Sequence, residues 1–309
     1  MSELNEKVKY AIKTLKSFTG NEPYYLCYSG GKDSDTIRIL ADLANVDFEV
    51  HHNHTTVDTP TTVRYVREIV RSYGDKGFIH YPERTMWQLI VDKMMPPTRL
   101  ARYCCAEFKE KGGIGRRKVT GVRKAESASR AKNGGFVKII GREKTNLKIA
   151  EDIGADYSPT EKGGIVLNLD NDKSRLMVEA CYRTSSVLIN PIFDWSDKEV
   201  WEFLKCHGCN SNPEYECGEK RIGCIGCPSS GKSRKKDFAK YPIYRENYVR
   251  AFNRMLERRK QEGKLTTVKW KTGEDVMRWF VGDDPLQLTF EDYLEFLEEQ
   301  KNLMTDYIW

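Results

Sequence analysis

Apolar residues at Leu4, Val8, Ala11, Ile12, Leu15 and Phe18 recur at the spacing of one helix face, which predicts an opening amphipathic helix that Gly20 can end. Tyr24 to Tyr28 is a short, nearly unbroken apolar and aromatic run and reads as a buried strand. Ser29-Gly30-Gly31-Lys32-Asp33-Ser34 follows, then a helical pattern through about Leu43, a second strand over Asp47 to Val50 and a second helix over Pro60 to Tyr73. Strand, glycine loop, helix, strand, helix predicts an α/β fold with a doubly wound parallel sheet. Ligands in such sheets gather outside the carboxyl ends of the strands, so the loop at Ser29 to Ser34 and the segment His51 to Asp58 are expected at one crevice.

Farther along, a helix over Met86 to Met94 is predicted to stop at Pro96-Pro97, and Lys118 to Val122 reads as another core strand. The irregular stretch 133–188, with glycine pairs at Gly134-Gly135 and Gly163-Gly164, is expected to be an insertion on the sheet. Ser196 and Glu199 form a capping box that starts a helix through Leu204. Beyond Cys227 the pattern is mostly helical, with Tyr244, Tyr248, Phe252, Met255 and Leu256 on one stripe and a final helix from about Thr289. The expected organisation is a nucleotide-binding core over 1–227 carrying the insertion, then a basic helical region over 228–309.

The 309 residues are 39% apolar, 31% charged and 11% aromatic, an ordinary globular composition that excludes wholesale disorder, collagen and coiled coil. No window approaches the roughly 18 uninterrupted apolar residues of a membrane span, and the first residues lack the apolar stretch of a signal peptide. A soluble, cytoplasmic protein with no membrane partner is expected. The net charge of +6 is unevenly spread. Lys109 to Lys148 carries 13 Lys and Arg against 3 acidic residues, and Pro228 to Lys260 carries 11 against 3, so the remainder is acidic by 12 charges. Two basic segments on an acidic body suit a chain that handles phosphate or sulfate groups, although two solvated helix faces would read the same.

The chemistry is concentrated at a few positions. In Ser29 to Ser34 two glycines let the backbone approach a ligand closely, the following helix offers unpaired N–H groups, and Lys32 with the two serines adds donors for phosphate oxygens. The Walker spacing is absent. Nine cysteines, two of them adjacent, fit a disulfide framework poorly and point to a reducing compartment. Cys104-Cys105 plus Cys224-x-x-Cys227 supply four soft thiolates, enough for an iron-sulfur cluster or a structural zinc, and adjacent cysteines suit separate irons better than one tetrahedral ion. Cys217 is the alternative ligand; Cys27 and Cys181 read as buried thiols, and Cys206-x-x-Cys209 lacks a partner pair. His51, His52 and His54 adjoin Thr55-Thr56-Val57-Asp58 and read first as exposed loop histidines without a role, with adenosine contact and then a metal as the alternatives, and Asp33 and Asp58 are the carboxylates to set near Mg2+.

The intact SGGKDS loop is that of the PP-loop ATP pyrophosphatases. Arg102-Tyr103-Cys104-Cys105 with Lys109, Thr120-Gly121-Val122-Arg123-Lys124-Ala125-Glu126-Ser127, Asn190-Pro191-Ile192-Phe193-Asp194-Trp195, and Ile222 to Pro228 resemble the phosphoadenosine phosphosulfate (PAPS) reductase branch of that superfamily, over about 22–230. The resemblance implies that Ser29, Gly30, Gly31, Lys32, Asp33, Ser34, Thr56, Asp58, Gly121 and Arg123 face an adenine nucleotide, with Lys32, Asp33, Lys109 and Arg123 as catalytic residues. It also implies that Cys104, Cys105, Cys224 and Cys227 ligate a 4Fe-4S cluster, with Lys109 between cluster and substrate. Two departures matter: no cysteine follows Cys227, so the reductases' late nucleophile is missing, and the loop is the form associated with ATP rather than with preformed adenylyl sulfate. The expectation is therefore an enzyme that cleaves ATP to AMP and pyrophosphate in sulfur transfer, with a sulfur donor or thiol reductant and further proteins as partners, similar to the cluster-bearing subunit of DNA phosphorothioation systems or to tRNA thiolases. The rivals are a reductase of adenylyl sulfate or PAPS using an external thiol, and a non-catalytic nucleotide-binding subunit of a nucleic-acid-directed complex. The segment from Lys232 to Lys260, with Arg234, Lys235 and Lys236 among its cations and aromatics interleaved, is the candidate DNA or RNA surface; a core stripe with a wet charged face is the competing reading.

Overall fold

A computed structural model describes residues 3–161, 163–231, 233–264 and 270–282. They form two compact units, and each is built from separate stretches of chain. The first takes the N-terminal residues through His52, then Thr61–His80 and Gly112–Ile222; the second takes Asn53–Pro60, Tyr81–Lys111 and the described residues from Gly223 onward.

The first unit is centred on a sheet whose eight strands, among the described residues, are β1 (Tyr24–Cys27), β2 (Phe48–Asn53), β3 (Gly77–His80), β4 (Arg117–Val119), β5 (Val137–Ile140), β6 (Tyr157–Pro159), β7 (Ile165–Leu167) and β8 (Ser186–Ile189), in the order β3-β2-β1-β4-β8-β5-β7-β6. β2, β1, β4 and β8 are parallel neighbours, with Leu26 opposite Val50 and Val119, and Val119 opposite Ile189. Parallel strands require crossovers, and the helix Lys32–Ala44 supplies the one from β1 to β2. Helix Glu3–Ser17 packs on helix Lys32–Ala44, with Ala11 and Leu15 fully buried, as its apolar spacing predicts.

Two expectations change. The stretch 133–188 is no appendage to the sheet: it supplies β5, β6 and β7 and leads directly into β8, with β5 antiparallel to β8, β7 to β5 and β6 to β7. The sheet is thus parallel on one side and antiparallel on the other. These strands are three or four residues long, too short for a period of two to stand out from turns. The expected boundary at 227 also moves, because the Cys104-Cys105 segment leaves the core for the second unit. There the helix Met86–Lys93 lays Met86, Leu89 and Ile90 into the same apolar cluster as Tyr248, Phe252 and Met255 of the helix Pro242–Gln261, so the packing of a long amphipathic face overrides chain order. Helices Ser233–Lys240 and Gly273–Val281 complete the helical part of this unit among the described residues; the helix expected from Thr289 lies outside them. No helix among the described residues is long and apolar enough to cross a membrane.

One buried carboxyl pins the stem of the glycine loop. Asp35, in the first turn of helix Lys32–Ala44, is fully buried and accepts from the Tyr28 hydroxyl at 2.7 Å and the Tyr65 hydroxyl at 3.0 Å, with Arg38 at 3.8 Å. Burial pushes its pKa up to about 6, against the two tyrosines and Arg38. Because the folded state holds this proton more tightly than the unfolded chain, the contribution of Asp35 to stability is fully present below about pH 4 and is lost as pH rises through about 6. Urea denaturation from pH 4 to 7 should show the stability of the wild-type protein falling relative to Asp35→Asn, by a difference on the order of 2 kcal/mol.

Candidate functional site

The first unit holds the glycine loop between β1 and helix Lys32–Ala44. Gly30 has a positive φ of 75°, and a Cβ there would come within 2.5 Å of Val66, so only glycine serves. The Ser34 hydroxyl donates to the Gly31 carbonyl at 2.7 Å and accepts from the Gly31 N–H at 3.1 Å, while the Ser29 hydroxyl stands 3.3 Å from it. The Lys32 N–H donates to the Tyr215 hydroxyl at 2.9 Å, and the Asn212 amide donates to the Gly30 carbonyl at 3.0 Å. A short turn, Asn212 to Tyr215, therefore clamps the loop.

Behind the loop lies a network of two cations and two carboxylates. Arg123 is 2% exposed, and its guanidinium donates from Nε to Asp33 at 2.7 Å, from Nη1 to the Trp195 carbonyl at 3.1 Å and from Nη2 to Asp197 at 2.5 Å. The buried Lys32 ammonium stands 3.6 Å from both Asp33 and Asp197. Against the upward push of burial, Arg123 and Lys32 hold the Asp197 carboxyl below its usual range. Gly121 lets the strand end approach: a Cβ there would lie 2.9 Å from the Asp33 Cβ and 3.0 Å from its carbonyl. Asp197 is the first helical residue after the Ser196 cap, whose bonds to Glu199 match the capping box read from the sequence.

The second unit holds the thiols. Cys104 and Cys105 lie in a helical turn, Tyr103–Cys105, that widens into a π turn over Ala106–Glu110, and the latter carries Lys109. Hydrogen bonding to Cys105 and burial both keep Cys104 a thiol, with the charges of Cys105, Cys224 and Cys227 adding to the effect. The same hydrogen bond lowers Cys105, against burial and with help from Lys109 and Arg102. The Lys109 side chain, on an exposed residue, is held charged by Cys224 first, against desolvation, and then by Asp58, Cys105 and Cys227. Burial raises Cys224, Lys109 opposes that rise, and the thiol lies 3.5 Å from the Thr55 hydroxyl. Four thiols and one ammonium thus share a neighbourhood over the buried Tyr248. The donor set suits a 4Fe-4S group in number and softness, although no three His, Cys, Asp or Glu side chains among the described residues stand in a metal-holding arrangement.

The remaining expected residues are placed as follows. Asp58, in the second unit, accepts from the Thr55 N–H at 2.8 Å, so Asp33 and Asp58 belong to different units. Thr56 has a positive φ of 64° and accepts from the Met86 N–H at 2.9 Å. Cys217 is exposed and belongs to the first unit, whereas the other four candidate ligands belong to the second. His51 bonds His80 at 2.9 Å and Glu49 at 3.1 Å and is pushed down to about 4 by burial, His52 donates to the Tyr28 carbonyl, and His54 lies in the second unit. In the basic segment the helical stripe is core: Phe238, Tyr248 and Phe252 are buried. Arg234 packs over the Phe280 ring, Arg245 pairs with Glu274, Arg258 with Asp92, and Arg259 is buried against the Met94 carbonyl. Lys232 lies outside the described residues. Asp197, Tyr215, Asn212 and Asp35 were not singled out from the sequence. Only Asp197 had a signal, as the residue after the helix cap.

The sequence pattern of the phosphoadenosine phosphosulfate reductase domain matches residues 23–230, taking in the loop, Arg123 and all four thiols. The chain belongs to the PAPS reductase family. Its PP-loop is the Ser29 to Ser34 segment. Two uncharacterized proteins of Methanocaldococcus jannaschii match as well, one 24% identical over 272 residues, 85% of this chain and 54% of that one, the other 27% identical over 245 residues, 75% and 42%. The chain thus spans about half the length of the curated relatives it matches. An adenosine 5'-phosphosulfate reductase of Allochromatium vinosum is 46% identical over 39 residues, 13% of this chain and 15% of that one. Among solved structures, a PAPS reductase from Candida auris, in a phosphate complex, aligns with a TM-score of 0.44 at 13% identity over 74% of this chain and 97% of that one.

Arg123→Lys keeps the charge but cannot make three directed bonds to Asp33, Asp197 and Trp195. It should lower the free energy of unfolding in urea by about 2 kcal/mol, a modest figure because Asp197 is largely solvated.

Proposed function

We propose that this PAPS reductase-family chain is a PP-loop enzyme that binds ATP on Ser29 to Ser34 and cleaves it to AMP and pyrophosphate, adenylating an acceptor oxygen in sulfur transfer. The observation that carries the reading is the intact loop set at the carboxyl end of β1 and the N-terminus of a 13-residue helix, with Lys32 and Arg123 beside it. Backbone N–H groups and Lys32 would hold the β- and γ-phosphates and take up the charge that develops on the leaving pyrophosphate. The acceptor oxygen attacks the α-phosphorus, the bond to the bridging oxygen breaks, and the electron pair leaves with pyrophosphate. Asp33, with Asp58 as the second candidate, would receive Mg2+.

The thiols of Cys104, Cys105, Cys224 and Cys227 would hold the 4Fe-4S group, Cys217 being the substitute ligand. When bound, such a group supplies an electron-transfer or sulfur-binding centre. Lys109 offsets the negative charge of the thiolates. The short match to an adenosine 5'-phosphosulfate reductase favours a second reading, reduction of adenylyl sulfate or PAPS by an external thiol. A nucleic-acid acceptor, if there is one, would meet the exposed cations Lys236, Arg250, Arg254 and Lys260 rather than the buried aromatics.

ATP with Mg2+ should yield AMP and pyrophosphate, most readily once the acceptor is present, and Lys32→Ala should remove at least nine-tenths of the rate; sulfite released from adenylyl sulfate in the presence of a thiol would instead favour the reductase. Anaerobically purified protein should be brown and carry about four irons, lost in Cys104→Ser and Cys224→Ser; a colourless protein with one zinc overturns the cluster assignment. Nucleic-acid binding should weaken steeply with salt, and Arg250→Gln with Arg254→Gln should reduce the slope of log K against log salt by about 1 to 2.

A further inference from the structure

We propose that the Tyr215 hydroxyl is a built-in stand-in for a phosphate oxygen: it occupies the Lys32 N–H of the PP-loop until an anion displaces it, and so sets the affinity threshold of the loop. The inference rests on the reading that this loop receives the phosphates of a nucleotide. The Lys32 N–H belongs to the first turn of helix Lys32–Ala44, where backbone donors have no partner within the helix. Tyr215 satisfies it at 2.9 Å, and a Cβ on Gly31 would lie only 3.3 Å from the same hydroxyl oxygen, so that oxygen sits against the loop backbone where a bound oxyanion would approach. The contact is made by a fixed support. Asn212, fully buried, donates to the Gly30 carbonyl and to the Thr62 hydroxyl, both at 3.0 Å, which holds the turn Pro213–Tyr215 in place whichever way the Tyr215 side chain points.

The displaced ring has somewhere to go. Tyr215 lines a cavity of about 620 Å³ together with Trp201, Lys205, Glu216 and Glu219. It stands edge-on to Trp201 at 4.9 Å between ring centroids. A phosphate oxygen carries charge, bonds the N–H more strongly than a phenol does and gains Lys32 as well, so the exchange favours an anion over water or a neutral ligand. Tyr215 thus competes with the ligand for one loop donor and makes the loop selective for charge, while Asn212 holds the loop's geometry.

Calorimetric titration with inorganic pyrophosphate and with ATP-Mg2+ tests the exchange on the full chain. Tyr215→Phe removes the competing oxygen and keeps the ring, so both ligands should bind roughly two- to tenfold more tightly than to the wild type. Trp201 is 38% exposed and beside the moving ring, so pyrophosphate should change the tryptophan emission of the wild type but much less that of Trp201→Phe. The fluorescence readout stands even if the tyrosine variant folds poorly. Equal or weaker binding by Tyr215→Phe, or binding to the wild type without a Trp201 signal, overturns the stand-in role while leaving the nucleotide reading intact. Failure of the wild type to bind either ligand overturns that reading itself.

Discussion

The arrangement of the first unit turns on one guanidinium. Arg123 comes from the chain just after β4, Asp33 from the loop after β1, and Asp197 with the Trp195 carbonyl from the stretch after β8, so three separate pieces of sequence meet at one planar, fully buried donor fork. An arginine suits this place because its donors are fixed in direction and its charge is permanent. The same two aspartates, each 3.6 Å from the Lys32 ammonium, offset the burial of that second cation. The loop is held from behind by charge and from the front by the Asn212 to Tyr215 turn, which leaves its backbone little freedom.

The second unit solves a different problem. Thiols that share a small volume repel one another once ionised, and Lys109 together with the Cys104 to Cys105 hydrogen bond keeps that cost low. The surrounding apolar cluster, with Tyr248, Phe252 and Phe280 at its centre, fixes the peptide at Cys224 to Cys227 through bonds such as Tyr248 to the Ile225 carbonyl at 3.1 Å. Aromatic side chains that read as stacking platforms in sequence are, in three dimensions, the wall behind the thiols. The exposed cations of the same helix remain on its outer face.

Much of this was legible in the residues. The loop, its strand and helix, the capping box at Ser196 and the opening helix follow from local patterns that each state their own structure. The antiparallel half of the sheet was not legible, because β6 and β7 are three residues each and their pairing is decided by neighbours rather than by period. The partners of Arg123 were not legible either. A salt link is a property of two distant positions, and the helix cap that marks Asp197 in the sequence says nothing of the guanidinium it meets. Tyr215 was missed for the same reason, since a tyrosine 183 residues from Lys32 carries no mark of the N–H it will meet.

The interleaving of the two units bears on how the protein is made. Cys104 and Cys105 leave the ribosome about 120 residues ahead of Cys224 and Cys227, and the helix Pro242–Gln261 that closes their apolar surroundings comes later still. At the usual pace of synthesis that interval is on the order of 6 to 24 seconds. Throughout it, two adjacent thiols wait in an unfinished unit while the sheet-forming segments of the other emerge. Any four-thiol centre can therefore close only once Cys227 has emerged, and the early pair stays without its partners until then.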